Sequence, residues 1–229
     1  MNLAMTMTAF KRADYLKTVL KSLQSNPGIE NYVLHFGVEP VDQEVISVCQ
    51  NVDFMRTVVT VNQERLGVLK NPFELLKRTF DTGVDGVLYL EDDVILSPDA
   101  VRLASWYFQQ PTANNYICLN LYNHDSVAGA DPRAVFGGEK FSALGIGITR
   151  HQWKTHFEPN WENDKRGWDF SITALLASGM KVLQPRYSRS HHIGRERGVH
   201  YRAALHDKFY VNNALWTGSV DDFVLEGAV

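Results

Sequence analysis

Gly86-Val87-Leu88-Tyr89-Leu90-Glu91-Asp92-Asp93-Val94 is an apolar run that ends in three carboxylates, and its reading decides the fold. An apolar run without alternation fits a strand covered on both faces, as in the parallel sheet of an α/β protein. Ligands of open α/β sheets bind just beyond the carboxyl ends of strands, so the charges stand where a site is expected. Three adjacent acids repel one another unless water solvates them or a hard cation such as Mg2+ or Mn2+ bridges them. The plainer alternative is an acidic turn ahead of a helix opened by Ser97-Pro98-Asp99, with Ser97 as N-cap and Pro98 at the first helical position. The tripeptide alone does not choose between the two.

The chain on either side supplies the context. Leu3 to Thr8 reads as a strand and Ala13 to Leu23 as a helix, with Leu16, Val19, Leu20 and Leu23 at helical spacing. Tyr32 to Phe36 is a second strand with Glu39 just past its end, Gln43 to Cys49 a helix, and Thr57 to Val61 a β-branched third strand. Gly67 separates that strand from a helix near Pro72 to Phe80. After the acidic strand, Tyr116 to Leu121 is a strand running into Tyr122-Asn123-His124-Asp125, and 126–140 is a loop or a small antiparallel excursion. Ala143 to Thr149 reads as a strand, Arg150 to Phe157 and Phe170 to Ser178 as helices, and Lys181 to Pro185 as a last strand. This alternation predicts an α/β fold with a mixed, mostly parallel sheet flanked by helices. No repeat, low-complexity tract or linker divides the chain, so one domain is expected over residues 1–229.

With 45% hydrophobic and 21% charged residues, the composition is that of a globular protein able to build a sizeable core. A net charge of −3 gives no reason to expect a nucleic-acid polymer or an anionic membrane as partner. Cys49 and Cys118 fall in a helix and a buried strand, which predicts no disulfide framework and a reducing compartment. No apolar stretch approaches the roughly 20 residues of a membrane span, and Met1-Asn2-Leu3-Ala4-Met5 lacks a basic segment before its apolar residues. The expectation is a soluble, cytoplasmic protein.

Several other stretches carry chemistry. Asp169, beside Trp168 at a helix start, is favoured in its ionised form by the helix dipole, as a general base or simply as an N-cap. The basic, glycine-containing segment from Ser188 to His200 is either a solvated loop or a closing segment whose arginines bind diphosphate oxygens. Its histidines, with His206, lack the partner cysteines and spacing of a zinc site. Glu64 to Asn71 offers Arg65 and Lys70 near a helix start, a turn suited to an anion. Trp106, Trp153 and Trp161 read as core aromatics.

Taken together, these segments resemble the GT-A glycosyltransferases, and within them the family of N-acetylglucosaminyltransferase I with its O-mannose-specific relatives. Thr8-Ala9-Phe10-Lys11-Arg12 with Leu16 to Leu23 is similar to the family's first strand and helix, and Leu90-Glu91-Asp92-Asp93-Val94 with Ser97-Pro98-Asp99 to its Glu-Asp-Asp form of the DXD motif. Ala143 to Trp153 and Glu158-Pro159-Asn160-Trp161 to Trp168-Asp169 resemble its acceptor side. Pro185 to Arg195, with Gly198-Val199 behind, resembles the loop that orders over the donor.

The resemblance implies a nucleotide-sugar-binding half at about 1–122, and an acceptor half with closing loop at about 123–229. It implies an inverting, metal-dependent transfer of a sugar, N-acetylglucosamine favoured, from a UDP-sugar donor to a glycan or other hydroxyl acceptor. In it Asp169 is the catalytic base. Asp93 binds Mn2+ (or Mg2+) directly, with His192 as a further metal or diphosphate contact. Thr8, Ala9, Phe10, Arg12, Glu39, Lys70, Glu91, Asp92 and Arg195 surround the nucleotide. Glu39 stands where the family has Asp, and the pattern differs near Lys70. The Golgi relatives carry an anchor, stem and disulfides, so the likeness implies a stripped catalytic core. Two other functions fit the same residues: a non-catalytic nucleotide-sugar or glycan-binding module, and a metal-dependent nucleotidyltransferase.

Overall fold

A computed structural model describes residues 1–162, 164, 166–195, 206, 207, 210 and 213–227. Gly198, Val199 and His200, named above in the closing loop, lie outside the described residues.

The first half is laid down as strand and helix in turn: β1 (Leu3–Ala9), α1 (Ala13–Gln24), β2 (Tyr32–Val38), α2 (Gln43–Gln50), β3 (Thr57–Val61), α3 (Gly67–Asp81) and β4 (Gly86–Glu91). β1 lies between β2 and β4 and is parallel to both, and β3 extends the sheet beyond β2 in parallel. The spacing of Leu16, Val19, Leu20 and Leu23 turns one face of α1 onto this sheet, where all four are buried. In β4 the residues from Gly86 to Leu90 are buried on both faces, which is why the strand shows no alternation.

The second half continues with β5 (Val94–Leu96), α4 (Ala100–Phe108), β6 (Leu119–Asn120), β7 (Ala134–Gly138), β8 (Ile146–Thr149), α5 (Arg150–Gln152), α6 (Trp168–Thr173), β9 (Val182–Pro185), β10 (Ser190–His192) and β11 (Val224–Leu225). Among the described residues the main sheet has the order β11-β7-β9-β6-β8-β4-β1-β2-β3. β8 is antiparallel to both β4 and β6, and so joins the parallel half to the rest. No helix of the described residues is long and apolar enough to cross a membrane. Cys49 and Cys118 are both free and buried.

Among the boundaries that differ from the sequence reading, two move because a distant partner intervenes and a third because of a local bond. The acidic run does not continue as one strand: it stops at Glu91, and Val94–Leu96 forms a separate two-stranded sheet with antiparallel β10. The helix expected near Pro72 begins already at Gly67, with Pro72 inside it, since Glu39 accepts the Leu66 and Gly67 N–H groups at 2.9 and 2.7 Å and caps that end. α4 begins at Ala100 with Asp99, not Ser97, in the N-cap position; the Ser97 hydroxyl instead donates to Asp99 Oδ1 at 2.9 Å.

Candidate active site

The carboxyl ends of β1, β2 and β4 open into a cavity of about 580 Å3. Its first wall is Thr8, Ala9, Phe10 and Arg12 after β1, Glu39 after β2, and Glu91, Asp92 and Asp93 at the end of β4. The opposite wall comes from Phe141 to Leu144 ahead of β8 and from Gly167 to Phe170 at the start of α6. His192 and Tyr210 close one side.

The acidic triplet is not uniform. Asp92 is bound to the turn after β1: its Oδ2 accepts the Phe10 N–H at 3.0 Å, and its Oδ1 accepts Arg12 Nη2 at 3.2 Å. Glu91 Oε1 accepts the Tyr89 hydroxyl at 2.9 Å. Burial and the charge of Asp93, with further help from Asp92 and Asp169, push the Glu91 carboxyl up to about 8. Burial and Asp93 likewise push Asp92 up to about 7, against the pull of Arg12 and the Phe10 N–H. Asp93 goes the other way: burial disfavours its charge, but bonding and attraction from His192, reinforced by Arg12, hold it below the usual carboxylate value. Of the three, Asp93 is the carboxylate shifted toward its ionised form.

His192 reaches Asp93 because of the small second sheet. β10 pairs with β5 so that His192 faces Val94, and the Ile193 N–H donates to the Asp93 carbonyl at 2.8 Å. The His192 Nε2 then lies 3.2 Å from Asp93 Oδ2. That separation is near the ~3 Å edge of an octahedron with ~2.1 Å bonds. Among the described residues no three or more His, Cys, Asp or Glu side chains gather to hold a metal ion. A cation shared with a nucleotide does not need such a cage, because one or two protein donors suffice when phosphates and water complete the shell. The Asp93 and His192 pair fits an open site of that kind, and its imidazole suits Mn2+ better than Mg2+.

Gly194 leaves room for the pair. A Cβ there would come within 2.6 Å of Asp93 Oδ2 and 2.7 Å of the His192 ring. Gly194→Ala is therefore expected to push Asp93 and His192 apart while the fold persists, and to cost roughly tenfold or more in the affinity of any cation the pair holds. Calorimetry with Mn2+ and UDP checks this; unchanged affinity contradicts the placement.

Asp169 lines the same cavity. Gly167, not Asp169, occupies the N-cap position of α6, and Asp169 falls in its first turn. Trp168 is locked by stacking on Trp161, with centroids 4.5 Å apart and planes 7° from parallel, and by edge contacts with Tyr89 and Phe141. Trp153 and Trp161 are buried in the same aromatic cluster, and Trp106 packs on the core from the other side. This packing sets the start of α6, leaving Asp169 half-buried against the cavity.

Lys70 and Arg195 are placed elsewhere. Lys70 is exposed on α3 and does not line the cavity, whereas Arg65 does, with its guanidinium 4.6 Å from the Phe10 ring centroid. Arg195 is turned to Asp207, with bonds of 2.7 and 2.8 Å. Glu39 lines the cavity, but both its oxygens are used on the start of α3. Two contributors escaped the sequence reading. Tyr89 lies two residues before Glu91, so strand alternation puts both on one face of β4, and that signal was available. Tyr210 has no comparable signal.

This architecture recurs in solved glycosyltransferases. The fold is GT-A. A mannosyltransferase from Pyrobaculum calidifontis, solved with GDP-Man and Mn2+, matches with a TM-score of 0.62 at 14% identity, over 87% of this chain and 59% of that one. S. aureus TarS 1-349, solved with UDP-GlcNAc, matches with a TM-score of 0.62 at 13% identity, over 88% of this chain and 62% of that one. The chain thus spans about three fifths of the length of these two structures. No protein-family model matches the chain, and no curated protein matches it in sequence.

Proposed function

We propose that the chain is an inverting, metal-dependent glycosyltransferase that moves a sugar from a UDP-sugar to a hydroxyl of a glycan or other acceptor. The observation that carries this reading is a single GT-A cavity with two poles. One pole is Asp93 beside His192 and Arg12; the other is Asp169 on an aromatic-locked helix start. A nucleotide sugar needs cations at its diphosphate and a base at its acceptor, and the two poles offer these separately.

Asp169 takes the proton from the acceptor hydroxyl as that oxygen bonds to the anomeric carbon. The bond from that carbon to the diphosphate oxygen breaks, and its electron pair leaves with UDP. Attack from the side opposite the leaving group inverts the anomeric centre. Asp93, with His192, would hold Mn2+, which when bound supplies positive charge to the departing diphosphate. Asp92 holds the turn after β1, so that Thr8, Ala9 and Phe10 present a fixed wall to the nucleotide. UDP-N-acetylglucosamine is the donor favoured by the resemblance to the N-acetylglucosaminyltransferase I family, and TarS, of the same fold, was solved with UDP-GlcNAc.

Asp93→Ala is expected to abolish the Mn2+-dependent part of UDP binding in calorimetry; undiminished metal-dependent binding would sink the assignment. The reading as a whole is tested by a panel of nucleotide sugars with Mn2+ in thermal unfolding. A ligand held only by the folded state at about 100 times its Kd adds about 2.7 kcal/mol of stability. The expected result is a raised Tm with UDP-N-acetylglucosamine, and no shift with any nucleotide sugar would overturn the reading.

A further inference from the structure

Asp93 Oδ2 has a cationic neighbour besides the His192 ring. Arg12 Nη2 lies 2.9 Å from it and 3.2 Å from Asp92 Oδ1, so one guanidinium nitrogen bridges the two aspartates. The Arg12 side chain retains only 10% exposure. Even so, its Nε and Nη1 are buried with no hydrogen-bond partner among the described residues. Donors left unmade in a buried place carry a free-energy penalty, so this arrangement leaves part of the guanidinium unsatisfied.

The backbone explains why the arginine is held there. Arg12 adopts φ 69° and ψ 60°, and among the described residues no other non-glycine residue has a positive φ. Its carbonyl accepts the Tyr15 and Leu16 N–H groups at 3.0 and 3.1 Å, which fixes the residue as the N-terminal cap of α1. A left-handed non-glycine residue persists only where its surroundings over-determine it. The backbone is pinned, so any displacement of the guanidinium falls to the side-chain torsions.

A divalent cation on Asp93 would share Oδ2 with this guanidinium. Two positive groups that close in a poorly screened cavity repel strongly unless more negative charge arrives with them. A nucleoside diphosphate brings that charge, and its oxygens match the forked donors of arginine.

We propose that Arg12 is a built-in counterion that competes with the divalent cation for Asp93 and gives way when the cation arrives together with a diphosphate, whose oxygens take the open Nε and Nη1 donors. This rests on the reading above that Asp93 holds the cation. The cation alone then binds weakly, and cation and nucleotide each strengthen the other's binding, as linkage requires.

The test is calorimetric titration of Mn2+, with no nucleotide present, into the wild-type protein and Arg12→Gln. The expected result is bare-cation affinity roughly tenfold or more tighter in the variant, with a correspondingly smaller gain on adding UDP. Equal or weaker bare-cation affinity in Arg12→Gln overturns the proposal. Should that variant fail to fold, Arg12→Lys serves, because its ammonium sits on a shorter stem than Arg12 Nη2 and cannot come as close to Asp93 Oδ2; a smaller gain is expected, and no gain overturns the proposal. Wild-type protein titrated with UDP in the presence and absence of Mn2+ separates the two readings. Absence of cation-dependent UDP binding there removes the cation from Asp93 and the counterion role with it. Normal cation-dependent binding combined with an unimproved Arg12→Gln removes the counterion role alone.

Discussion

Asp169→Asn is expected to lower turnover by about 10²–10⁴-fold, the usual contribution of a positioned general base. The amide keeps the size and shape of the carboxylate but cannot take the acceptor proton. Trp168, stacked on Trp161, holds the start of α6, and the amide fills the same space, so the variant should fold normally. Its affinity for UDP and Mn2+ should also remain near wild type, because the cation pole is built on Asp93 and His192 and not on Asp169. Steady-state turnover set beside calorimetric UDP binding makes the comparison. Parallel loss of binding and turnover would mean that Asp169 shapes the cavity and performs no proton transfer.

The largest effect on stability should come from a pair that does not line the cavity. Arg189 Nε lies 2.7 Å from Asp99 Oδ1, and both side chains are 0% exposed. Asp99 also accepts the Ser97 hydroxyl at 2.9 Å and the Val220 N–H at 3.1 Å, while Arg189 donates to the Tyr187 carbonyl at 2.6 Å and to that of Pro132. One ion pair therefore ties the start of α4 to the chain between β9 and β10 and to the segment before β11. Asp99→Ala strands a buried guanidinium, and breaking such a pair typically costs ~3–5 kcal/mol. Replacing both partners with apolar residues of similar volume should cost far less, for the charge is then gone as well. Urea unfolding of the single and double variants checks this; a loss below about 1 kcal/mol in Asp99→Ala would show that the pair is not sealed from water.

The parallel half was legible because its signals are local. Leu16, Val19, Leu20 and Leu23 declare a helix within one window, and β-branched Thr57 to Val61 declares a strand in the same way. The site was legible to the extent that strand ends announce ligands: Arg12, Glu39 and the acidic triplet each follow a strand, and all line one cavity. Misreadings arose wherever a partner lay far along the chain. Nothing between Leu90 and Leu96 reveals that β5 will pair with β10, yet that pairing is what brings His192 to Asp93. Gly67 read as a break ahead of a helix near Pro72 because the cap that starts α3 is Glu39, on another element. The Glu39 carboxylate looked available for a nucleotide for the same reason: its backbone partners are not visible from its own neighbourhood.

The division of labour between Asp93 and Asp169 rests on the chain being a catalyst and not a binding module. The most direct measurement is release of UDP from UDP-N-acetylglucosamine by the purified protein with Mn2+ and no added acceptor, water standing in for the hydroxyl. Slow, Mn2+-dependent release that disappears in Asp93→Ala and falls sharply in Asp169→Asn is the predicted result. Binding of the nucleotide sugar with no UDP released, or release of pyrophosphate in its place, would contradict it.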